Sequence, residues 1–156
     1  MTSTAIRPIA LGVILRDNHI LCFKHRNESG IFYRPIGGGI EHGEKAAAAL
    51  IREFEEEMGA KVRPIRRIGV LENIFTWQGR VNHELAFMFE AEFVNRDLYL
   101  NDRMKITEGD LILWSEWVAL DQIFRGEVTI YPNGIGDLLG QEYTNLKKFA
   151  YNIEKP

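Results

Sequence analysis

A mixed β-sheet covered by helices, an α/β arrangement, is what the pattern of this chain calls for. Apolar and β-branched runs of strand length outnumber helical ones. The two helical stretches are separated by a long strand-rich region, which suits helices laid on a shared sheet. The 156 residues suffice for one domain with a proper core and are too few for two ordinary ones. Residues 1–156 are therefore read as a single domain.

The elements follow in order. Residues 9–15 form an apolar run broken by Gly12. It is short for a signal-peptide core and far below membrane-spanning length, so it reads as a buried strand. Residues 20–24 make a second strand, and the Asp17-Asn18-His19 turn joins the two as a hairpin. Residues 27–39, NESGIFYRPIGGG, read as a loop. Residues 45–58 carry the strongest helical pattern, stopped by Gly59 at the position where a left-handed backbone suits glycine. Residues 68–77 and 84–94 are strands joined around Gln78-Gly79-Arg80. Residues 95–110 read as loop, 111–118 as strand, 120–124 as a short helix, and 137–151 as a weak helix interrupted by Gly140.

Composition narrows the function. The chain is 46% hydrophobic and 26% charged, ordinary for a soluble globular protein. A net charge of −3 argues against an extended nucleic-acid surface. It leaves room for an anionic ligand met by a local cation. Cys22 is the only cysteine. No intrachain disulfide can form, which points to a reducing, cytoplasmic setting. No run reaches membrane-spanning length.

The helix at 45–58 has an unusual face. At about 100° per residue, Glu53, Glu56 and Glu57 share an arc of roughly 100°. Ala47, Leu50, Ile51, Phe54 and Met58 form an apolar stripe beside it. Like charges spaced i, i+3, i+4 repel, and in a last turn they also oppose the helix dipole. One reading is a solvated acidic face. The other is a site for a hard divalent cation such as Mg²⁺ or Mn²⁺, which needs clustered carboxylates.

The stretch GGIEHGEKAAAALIREFEEEMGA from Gly38 to Ala60 decides between them. It resembles the signature of the Nudix hydrolase family. Gly38, Glu44, Arg52, Glu53, Phe54, Glu56, Glu57 and Gly59 fall at the signature's positions. Phe54 replaces the commoner aliphatic residue, and Ala60 is small for the final apolar position. The resemblance implies a loop–helix–loop motif within an α/β/α sandwich. It implies cleavage of a pyrophosphate bond in a nucleoside diphosphate linked to another moiety. Glu53, Glu56 and Glu57 would hold Mg²⁺ or Mn²⁺, with the Gly37 carbonyl as a further ligand. Arg52 would orient a box carboxylate and Glu44 would brace the loop.

Other residues are candidates by residue type and position. Glu108, in ITEGDLILW, and Glu84, after His83, are candidates for a general base beside the box glutamate Glu56. Phe32, Tyr33, Phe75 and Trp77 offer flat partners for a nucleobase. Arg34 suits a phosphate, and Gly38 and Gly39 allow backbone to approach a diphosphate. The substrate is left open among a nucleoside triphosphate, a dinucleoside polyphosphate and a nucleotide sugar. Ile74 and Phe75 stand where ADP-ribose hydrolases often have proline. Trp77 is near the place of a tyrosine found in dinucleoside-polyphosphate hydrolases. RNA decapping is the weakest reading, since no basic strip is evident. A non-catalytic nucleotide-sensing module is the alternative to an enzyme, and a homodimer stays open.

Overall fold

The computed structural model describes residues 4–144. Its strands are β1 (Arg7–Val13), β2 (Leu15–Arg16), β3 (His19–Asn27), β4 (Gly30–Gly39), β5 (Val62–Trp77), β6 (Arg80–Phe93), β7 (Lys105–Glu108) and β8 (Leu111–Ala119). The helices are α1 (Ala46–Met58), α2 (Leu120–Phe124) and α3 (Ile135–Leu139). A 3₁₀ turn spans Arg96–Leu100, and a π-helical turn, Gly140–Thr144, follows α3.

The sheet runs β5-β6-β1-β4-β3-β8-β7, with β2 paired to β3. Among these pairings β1 with β6 is parallel and the others are antiparallel, so the sheet is mixed. β1 explains the layering. Ala10 belongs to one core cluster with Ala49, Leu50 and Phe54 of α1. Ile9, Leu11 and Val13 belong to a second with Leu120 and Ile123 of α2 and Ile135 and Leu139 of α3. Successive side chains of a strand leave opposite faces. The helices therefore cover opposite sides of the sheet, which is an α/β/α sandwich. A strand buried on both faces must be apolar throughout, as this run is.

Gly12 does not weaken β1. A Cβ there would lie 2.9 Å from the Phe54 ring, so the glycine lets α1 pack close to the strand.

Five expectations from sequence are corrected. Residues 9–15 and 20–24 do not form one hairpin. Only the short β2 pairs with β3 across the Asp17-Asn18 turn, whose residues both have positive φ. β1 instead lies between β4 and β6. Much of 27–39 is strand β4, not loop, because Gly37, Gly38 and Gly39 pair with Leu11, Ala10 and Ile9. The glycines mark close approach of neighbours; a Cβ at Gly37 would stand 1.9 Å from the Ala10 carbonyl oxygen. Residues 95–110 contain the 3₁₀ turn and β7. Ile51 is exposed where a stripe position was expected, and Ala49 is buried. The last helical stretch starts at Ile135, and its expected continuation beyond 144 lies outside the described residues. Among the described residues no helix is long and apolar enough to cross a membrane.

Candidate active site

The site grows from the contact between the end of β4 and α1. α1 ends as expected at Gly59, whose φ of 63° closes the helix with bonds to the Glu55 and Phe54 carbonyls. Between β4 and α1, Arg52 acts as a hub. Its Nε and Nη2 donate to the two Glu44 oxygens at 2.9 Å each, and Nη2 also donates to the Gly39 carbonyl at 2.8 Å. Its Nη1 donates to Glu53 at 3.1 Å and to Glu56 at 3.2 Å. Glu44 in turn accepts from the Glu41 backbone N–H at 3.1 Å. These bonds hold the Glu44 carboxyl well below the ordinary range, near 2, with Arg52 as the main cause. A charged fork of this kind pins loop, strand and helix together. Gly38 is needed at the same contact: a Cβ would fall 2.5 Å from the Glu53 carboxyl carbon.

Glu57 differs from its neighbours. Its Oε2 is buried and has no hydrogen-bond partner. Burial, reinforced by Glu53, Glu108 and Glu56 and opposed by Arg34, raises its pKa to about 8. That places the charge of Glu108 near the end of α1 although fifty residues separate them in sequence. Glu108 closes β7 and meets Leu111 across the Gly109 turn.

Whether a divalent ion suits these residues can be judged from the same geometry. The donors are all oxygens, one of them orphaned and buried, which matches a hard cation. Among the described residues no three Asp, Glu, His or Cys side chains already converge as a cage. Glu53 and Glu56 are instead both hydrogen-bonded to Arg52.

The remaining candidates separate into two groups. Arg34 bonds Glu84 at 3.1 Å, and the Glu84 side chain is only 5% exposed. The Arg34 charge also acts on Glu57 and on His25. Phe32, two residues before Arg34, stacks on His25 at 5.0 Å and meets Tyr131 edge-on at 5.5 Å. Tyr33 is turned elsewhere: its hydroxyl donates to Glu116, and it packs beside the second core. Phe75 and Trp77 sit at the outer end of the β5–β6 hairpin, beyond Glu84, the first β6 residue that pairs with β1.

His25 and Tyr131 were not singled out from sequence. Nothing in the linear pattern links 25, 32 and 131. The β3–β4 register places His25 opposite Phe32. Bonds from Tyr33 N–H to the Thr129 carbonyl and from Tyr131 N–H to the Tyr33 carbonyl bring in the third ring.

An acidic helix tied by arginine to a glycine-ended strand, on a mixed sheet between helix layers, defines a class of proteins with a loop–helix–loop motif. Residues 6–134 match the NUDIX domain, and the chain belongs to the Nudix hydrolase family. Over 118 residues it is 36% identical to the NAD-capped RNA hydrolase NudC of Photorhabdus laumondii subsp. laumondii, covering 76% of this chain and 41% of that protein. It is 27% identical to the nucleoside triphosphatase NudI of Salmonella agona, covering 64% and 77%. The chain thus spans about two fifths of the length of the first of these relatives. The fold matches a NUDIX hydrolase structure from Nitrosomonas europaea at a TM-score of 0.64 with 18% identity, covering 90% of each chain.

Proposed function

We infer that the chain is a divalent-metal-dependent pyrophosphohydrolase acting on a nucleoside diphosphate linked to another moiety. The observation that carries this reading is Glu57: a buried carboxylate oxygen with no partner, in the electrostatic field of Glu53, Glu56 and Glu108. A buried carboxylate oxygen without a partner is costly to the fold, and a bound cation would supply one. The names of the relatives fit the same bond, since NAD-capped RNA and nucleoside triphosphates both contain phosphoanhydrides.

Glu53, Glu56 and Glu57, with the Gly37 carbonyl, hold Mg²⁺ or Mn²⁺. Such an ion would supply charge neutralisation at the phosphates and a more acidic water. Arg52 keeps Glu53 and Glu56 in place, and Glu44 keeps Arg52 in place. Glu108 accepts the proton from the attacking water, and the β7–β8 turn brings it to the acidic end of α1. Gly38, against Glu53, and Gly39, against Arg7, put no side chain of their own between β4 and an approaching diphosphate. Arg34 meets a phosphate, and Phe32 presents a ring toward the base. Tyr33, Phe75 and Trp77 are weaker partners, given their positions.

The test is a panel of nucleoside triphosphates, dinucleoside polyphosphates and nucleotide sugars with Mg²⁺ or Mn²⁺, read by product identity. Metal-dependent release of a nucleoside monophosphate or inorganic pyrophosphate is expected. Tight binding across the panel without turnover would replace the enzyme with a nucleotide-sensing module.

A further inference from the structure

We propose that Glu84 is a positioning residue, holding the Arg34 guanidinium so that its open side receives a phosphate of the bound nucleotide. This rests on the nucleotide reading above and gives Glu84 a role other than that of a base.

Phe32, Arg34, Ile36 and Gly38 alternate along β4 and so share one face. Ile36 belongs to the core beneath α1, and Gly38 meets Glu53. Arg34 is therefore carried on the face that bears the acidic helix. Its Nη2 reaches Glu84 on β6 at 3.1 Å. Among the described residues this is the one hydrogen bond its guanidinium makes, out of five N–H donors.

The pair is asymmetric. The Glu84 side chain is 5% exposed and the Arg34 side chain 26%. An enclosed carboxylate is costly unless it is paired, so Glu84 depends on Arg34. Among the described residues no other acceptor is bonded to Arg34, whose remaining donors are free to meet a phosphate. A planar guanidinium fixed on one edge is pre-organised for a phosphate, which accepts two parallel N–H bonds. A general base must come within hydrogen-bond reach of the water it deprotonates. Glu84 is 5% exposed and already spends one oxygen on Arg34, which favours a holding role over that of a base.

The experiment is a calorimetric titration of the wild-type chain, Glu84→Gln and Arg34→Lys with ADP in Mg²⁺, alongside steady-state kinetics on the best substrate of the panel. Glu84→Gln keeps the shape and an acceptor for Arg34, and Arg34→Lys keeps the charge. Melting curves check that both fold. Arg34→Lys should weaken ADP by about tenfold or more, the worth of a charged hydrogen bond. Glu84→Gln should weaken ADP and raise KM by a smaller factor, about threefold, while kcat changes less than KM. Three results would overturn the proposal: no ADP binding by the wild type, unchanged ADP affinity in Arg34→Lys, or a kcat loss of about 10²-fold or more in Glu84→Gln at unchanged affinity, which is the mark of a base. ADP binding without hydrolysis of any panel member would remove the enzymatic reading and leave this one standing.

Discussion

Glu57 concentrates the chemistry of the site in one titratable group. Its folded pKa, about 8, lies above the ordinary 4.5. Between those values the folded chain binds more protons than the unfolded chain, so stability without metal falls as pH rises across that window. Glu57→Gln removes the titration. Its melting temperature without metal should not drop at pH 8, and the decline between pH 5 and 8 should flatten in thermal scans. The same variant should lose most turnover at saturating Mg²⁺. Metal affinity in the wild type should climb with pH up to about 8, because the ion must displace a proton; calorimetry in buffers of different ionisation enthalpy would count that proton. Glu108 carries a separate expectation. Glu108→Gln should lower kcat by about 10²–10⁴ with little change in metal affinity. A near-normal kcat would move the base to a box glutamate, Glu56 first.

At the scale of elements, α1 divides cleanly into a packing face and a chemical face. Phe54 is fully buried, meets Phe93 edge-on, and lies over Gly12. Phe54→Ala should cost about 3–5 kcal/mol of stability, measured by denaturant unfolding, before it affects chemistry. Normal stability with lost activity would mean that the faces are misassigned. Much of this helix was legible in the sequence, because its apolar period, its acidic flank and Gly59 are all local signals. Ile51 escaped because an apolar residue at the stripe's edge can lie beyond the sheet's reach. β4 escaped for a different reason. Three glycines read locally as a turn, whereas here they are selected by what crosses them: the Ala10 carbonyl at Gly37 and the Glu53 carboxyl at Gly38. Gly38→Ala should accordingly impair turnover more than stability, since the added methyl meets a side chain at Gly38 and not backbone.

Over the whole molecule, the sandwich follows from β1 having both faces buried, which its apolar run already implied. Its place between β4 and β6 was not legible, because parallel pairing with residues 77 positions away leaves no local trace. The same holds for the site: the box could be read in one stretch, while His25, Phe32 and Tyr131 meet only through strand register and a returning loop. All the layers converge on one claim, that the acidic flank of α1 exists to hold a divalent cation. Mn²⁺ binding followed by electron paramagnetic resonance addresses it directly. The wild-type chain should remove Mn²⁺ from the free signal, and Glu57→Gln and Glu53→Gln should each weaken this strongly. A wild-type chain that binds no Mn²⁺, or variants that bind it equally well, would contradict it.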